Sequence, residues 1–231
     1  MDDLTAIVFY VVLIAFLFVG DYIRRTFLRR AEKMSESRSV NSIQGREVIE
    51  RMLAEENITD VKVEFSDFIV PRYYFNRRRK SVVIPTFSNY SSGMYDVMRC
   101  ATVASHVIIA KNNSGGLYYR LASFMEVWVR IMPFFIIIMF FLAAIWPFVF
   151  LPIIVVVYLL SLLVAVMMRQ TDSEAVYNAA RWLVKHGIVS DDDNGAFDKL
   201  TRYVTNYNLV NVLLAGFAIA SGRRELMRWN N

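Results

Sequence analysis

The sequence predicts an integral membrane protein of α+β class, in which three or four transmembrane helices carry a small cytoplasmic domain. Three observations predict it. Of the 231 residues, 56% are hydrophobic and 20% charged, with a mean hydropathy of +0.36. That is too apolar for an ordinary soluble domain and excludes a disordered chain. The apolar residues gather in long uncharged runs, and the polar stretches between them alternate helical and strand periodicity. The net charge of +5 suits nucleic acid or a membrane surface, and arginines flanking the apolar runs favour the membrane.

Residues 4–20 form the first run, about seventeen residues without a charge, adequate to cross roughly 30 Å of hydrocarbon. Asp2 and Asp3 precede it, and Arg24, Arg25, Arg29 and Arg30 follow, which places the amino terminus outside and residues 21–130 in the cytoplasm. Within that domain, residues 43–55 read as an amphipathic helix with Val48, Ile49, Met52 and Leu53 on one face and Glu47 paired to Arg51. Val61, Val63 and Phe65 alternate with charged residues as in a strand. Two short strands follow around a turn at residues 76–79. Residues 94–111 read as a buried, mostly apolar helix that ends over 112–116.

The second apolar run, 131–168, has the length of a hairpin of two spans. Pro147 and Pro152 sit near its middle, and Arg130 and Arg169 flank its ends, so both ends face the cytoplasm. In the cytoplasmic segment 169–203, a helix is expected over 172–186, closed by Gly187. Residues 191–195 resemble a calcium loop but lack its alternating ligands and closing glutamate. Residues 204–221 are expected to span or to lie buried in the membrane, their asparagines satisfied by neighbouring helices. The spans show no buried charge that would mark an ion path.

Few residues can carry chemistry. Cys100 is the single cysteine, which excludes an intrachain disulfide and cysteine-based metal clusters. His106 and His186 are the two histidines. Arg77, Arg78, Arg79 and Lys80 are four consecutive cations that suit anionic headgroups; no aromatic platform accompanies them, so no nucleic-acid partner is expected.

The order of elements, with Ser42-Ile-Gln-Gly45-Arg-Glu-Val48, Tyr73-Tyr74 and Ala101-Thr-Val-Ala-Ser-His106, resembles the bacterial membrane zinc metallopeptidases, small zincin-like proteins with an HExxH helix between membrane segments. The resemblance implies a zincin-like domain. In that pattern two histidines at i and i+4 hold zinc, the glutamate after the first activates the bound water, and a later carboxylate is the third ligand. Here His106 stands at the first ligand, Val107 at the base, Ala110 at the second histidine and, counting back from Trp182-Leu183 and Gly187, Asp172 at the third ligand. Valine takes no proton and alanine offers no donor. The bland readings are a buried neutral histidine for His106 and a helix cap for Asp172. Cys100 points to another face, and His186 lies about 20 Å along a helix from Asp172.

The expectation is therefore a catalytically inactive metallopeptidase homologue of the inner membrane. It would bind no cofactor, with His106 and Asp172 as a residual zinc pair at most, and serve as an accessory or scaffold subunit with integral membrane partners. The alternative is an atypical active zinc-dependent peptidase recruiting Glu174 or Glu126.

Overall fold

The computed structural model describes Tyr22, Thr26 and residues 43–66, 73–112, 116–189 and 194–213. The expected span 4–20, residues 191–193, and the part of 204–221 beyond 213 lie outside the described residues.

Helix α1 (Gly45–Glu55) leads to strand β1 (Lys62–Ser66), then to β2 (Tyr74–Asn76) and β3 (Ser81–Pro85). The sheet order is β1-β3-β2, with β1 parallel and β2 antiparallel to β3. Strand β3 is central and wholly buried, which is why Ser81-Val-Val-Ile-Pro shows no alternation. A short 3-10 turn (Thr86–Asn89) precedes α2 (Met94–Lys111). Helices α3 (Gly116–Ile145), α4 (Pro147–Lys185) and α5 (Asn194–Leu213) follow.

Helix α2 is the centre of the domain, packed against α1 on one side and α4 on the other, while α4 also packs on α3 and α5. One core joins Val48, Ile49 and Met52 of α1 to Val82 and Ile84 of β3. It continues through Met98, Ala101 and Val107 of α2 to Val176 and Leu183 of α4 and Leu200 of α5. The expected pair of Glu47 and Arg51 forms at 2.5 Å on the exposed face of α1.

The close approach of α1 and α2 depends on Gly45. A Cβ there would stand 2.7 Å from Cys100 Sγ and 2.9 Å from the Ser88 carbonyl. Gly45→Ala should cost about 1–3 kcal/mol in thermal unfolding of the detergent-solubilised chain, the range for overpacking a tight core. Adding Cys100→Ala should recover only part, because the Ser88 carbonyl remains.

Beneath this contact Asp96 is 7% exposed and fully engaged. Its Oδ1 accepts from the Tyr73 hydroxyl at 2.6 Å and its Oδ2 from Ser91 Oγ at 2.5 Å. Burial first, then the Asp96 charge, push the Tyr73 hydroxyl well above the usual phenol range, so it stays a donor. Tyr73 thus supports the core.

The long helices differ from the sequence expectation in three ways. Helix α3 starts at Gly116, well ahead of 131, and runs through Arg130. Helix α4 runs unbroken from Pro147 to Lys185, about 58 Å. No glycine or proline stands between Arg169 and Asp172, so nothing ends the helix where the apolar run stops. Asp172 is therefore mid-helix and caps nothing. Helix α5 begins at Asn194, ten residues before the expected fourth segment. The break between α3 and α4 is where the prolines placed it, with Pro147 in the first turn of α4. Among the described residues, one helix, Pro152–Lys185, is long and apolar enough to cross a membrane.

At the far end of α4, Gly187 takes φ +62°, and its N–H and that of Ile188 close on the carbonyls of Val184 and Leu183. Glu55 of α1 fastens this end, accepting from Trp182 Nε1 at 2.8 Å and lying 2.9 Å from His186 Nε2. The His186 ring stacks on Trp182.

Candidate functional site

His106 lies on the last turns of α2, Asp172 on α4, and Tyr118 and Tyr119 on the first turn of α3. The three helices meet here. His106 Nε2 is 3.4 Å from Asp172 Oδ1, with side chains 13% and 5% exposed. The Tyr118 hydroxyl donates to the same Asp172 Oδ1. The Tyr118 ring stacks on the His106 ring at 5.2 Å and 11°. Tyr119 packs edge-on to both and donates its hydroxyl to the His106 backbone carbonyl at 2.5 Å.

Electrostatics fix the direction of these bonds. Burial above all, and then the Asp172 charge, raise the Tyr118 hydroxyl well above the ordinary phenol range. Burial raises Tyr119 too, against the opposing pull of Arg77. Both tyrosines are therefore protonated donors at neutral pH. Asp172 accepts, and its pairing removes the cost of an isolated buried carboxylate. His106 Nδ1 is buried and has no hydrogen-bond partner among the described residues.

Zinc in a peptidase takes three protein donors and a water in a tetrahedron. The 3.4 Å between His106 Nε2 and Asp172 Oδ1 is close to a tetrahedral edge. The donor set does not fit beyond that pair. Ala110, on the His106 face, carries no donor. Val107 is 2% exposed and belongs to the hydrophobic core. Asp172 Oδ1, the oxygen nearest His106, already accepts from Tyr118.

The other candidates lie elsewhere. Cys100 faces Gly45, and burial raises its thiol far above the usual range. His186 is occupied with Glu55 and Trp182. Glu174 is exposed. No group of three His, Cys, Asp or Glu able to hold a metal occurs among the described residues.

The structure brings His106 and Asp172 to within 3.4 Å of each other. Arg77, Arg78, Arg79 and Lys80 form the turn between β2 and β3, where Arg77 lies 6.0 Å from the Tyr119 ring and Lys80 pairs with Asp60 at 2.7 Å. Lys80 in turn lowers the Asp60 carboxyl below its usual range. Sequence reasoning missed Tyr118 and Tyr119. Two adjacent phenols just after Gly115-Gly116, ahead of a long apolar run, were the available signal.

A family model described as "Putative neutral zinc metallopeptidase" matches residues 5–213. No curated protein and no solved structure matches the chain.

Proposed function

The chain belongs to the neutral zinc metallopeptidase family, and on that premise we propose that it is a catalytically inactive member. It keeps the family fold in the membrane as an accessory or scaffold subunit of a larger membrane protein complex. In this reading three or four helices span the inner membrane, with α3 and α4 as the hairpin, and the domain built on α2 faces the cytoplasm.

The observation that carries the reading is the composition of the site. His106 and Asp172 are paired with each other and with Tyr118, while the next residue, Val107, is sealed in the core. A hydrolase needs a base within hydrogen-bond reach of the attacking water. Asp172 Oδ1 is already engaged by Tyr118 and faces His106 Nε2, and the one unpartnered nitrogen described at this site, His106 Nδ1, is buried away from solvent. The active alternative would need Glu174 or Glu126, and Glu174 points to solvent two residues past Asp172, on another face of α4. A fold retained without its chemistry is retained for its surfaces.

The test is metal content by mass spectrometry on the full chain gently extracted from its native membrane, with co-purifying proteins identified in the same sample. The expected result is zinc well below one per chain, no peptide hydrolysis and a constant set of membrane companions. One zinc per chain with hydrolysis abolished by His106→Ala would overturn inactivity. Recovery always as a lone monomer would overturn the subunit role.

A further inference from the structure

We propose that Arg77, Arg78 and Arg79, with Arg120 and Arg169, form an arginine collar that selects anionic phospholipid headgroups at the membrane surface. The proposal rests on the reading of α3 and α4 as a membrane hairpin and adds the ligand that its rim would take.

Two hydrogen bonds set the register of the hairpin. Trp128 Nε1 donates to Ser161 Oγ at 2.7 Å, and the Tyr118 hydroxyl donates to Asp172. Ten residues on α3 thus run antiparallel to eleven on α4 (118 to 128 against 161 to 172), so Arg120 lies level with Arg169 and Gln170. The exposed apolar run Phe124, Val127, Ile131 and Phe134 on α3 starts one turn beyond Arg120, and that on α4 ends with Val166 and Met167, just before Arg169. Both arginines are exposed. They stand where a hydrocarbon surface gives way to headgroups.

The turn from the sheet reaches the same level. Arg77 lies 6.0 Å from the ring of Tyr119, the neighbour of Arg120. The turn has a fixed shape: Asn76 Oδ1 accepts from the Arg79 N–H at 3.1 Å, and Lys80 takes φ +48°. Lys80 is exposed as well but is paired with Asp60 at 2.7 Å, which leaves the three arginines as the exposed cations of the tip outside that ion pair. Glu174, whose charge also reaches Tyr119, is a carboxylate on this side. Among the described residues, five guanidinium groups face two carboxylates, exposed Glu174 and buried Asp172, whose Oδ1 already accepts from Tyr118, and the rim stays net cationic. Guanidinium matches phosphate oxygens in a two-point geometry that ammonium lacks, and cations beside an anionic leaflet gain about fivefold in affinity each.

The experiment reconstitutes the full chain in vesicles of equal phosphatidylcholine and phosphatidylglycerol, re-extracts it in mild detergent, and weighs the retained lipids by native mass spectrometry. Phosphatidylglycerol should be enriched about fivefold or more over the vesicle ratio, and the enrichment should fall in high salt. The variant R77Q/R78Q/R79Q should lose most of it, whereas Lys80→Gln should keep it. A folded triple variant with wild-type enrichment, or displacement of the lipid by inorganic phosphate alone, would overturn the proposal. Release of the chain from membranes by alkaline carbonate would remove the hairpin reading and this proposal together. Retention in carbonate without lipid preference would remove this proposal alone.

Discussion

Asp172→Ala is expected to destabilise the chain by about 3 kcal/mol, a shift of more than a hundredfold in the folded population. The carboxylate is 5% exposed and accepts from Tyr118 while facing His106 Nε2. Its removal strands one buried donor and leaves the imidazole with both nitrogens unpaired, since Nδ1 already lacks a partner. Tyr118→Phe removes one bond and should cost less, about 1–2 kcal/mol. The double variant should fall short of the sum, because the Tyr118 bond runs through Asp172, with a coupling of about 1 kcal/mol. The sign separates two roles. A carboxylate kept for a metal is a liability in the metal-free chain, and its loss then stabilises. A carboxylate kept as the joint of three helices stabilises without metal. Thermal unfolding of the full chain in mild detergent and chelator measures this directly. A gain in stability for Asp172→Ala would refute the structural role.

The helices and strands of the domain were legible because their patterns are local. The α1 face, the short strands and the buried α2 could be read from spacing alone, as could the hairpin break at Pro147. The family resemblance, not spacing, singled out His106 and Asp172, which stand 3.4 Å apart. What stayed hidden was long-range or continuous. Arg130 and Asp172 looked like boundaries because charge interrupts hydropathy, yet charge alone does not break a helix, and α3 and α4 run through both. Tyr118 gave little signal because a tyrosine near a membrane surface is ordinary. Only the packing of α3 on α4 makes its hydroxyl the partner of Asp172. The resemblance set Val107 where the family pattern has a glutamate, but its place in the shared core, which commits the position to packing, needed the fold.

Ala110→His should convert the site to a zinc site without making an enzyme. Position 110 lies one turn after His106 on the same face of α2, where side chains four apart stand about 5–6 Å between their Cβ atoms. With His106 and Asp172 already 3.4 Å apart, the new imidazole supplies the third donor that a tetrahedral site requires. One zinc per chain should bind. At a metal concentration a hundred times the Kd, stability should rise by about 2.7 kcal/mol. Tyr118→Phe in the same chain should tighten binding, because Asp172 Oδ1 then carries no competing hydrogen bond. Asp172→Ala should abolish it. On the proposed reading no peptide hydrolysis is expected, since Val107 remains in the core. Metal stoichiometry by mass spectrometry, with melting in zinc against melting in chelator, reads each step. If the folded Ala110→His chain takes up no zinc, His106 and Asp172 are not the residue of a metal site, and their pairing arose as packing alone. If it takes up zinc and cleaves peptides, a base exists that the described side chains do not supply, and the proposal of an inactive chain loses its ground at Val107.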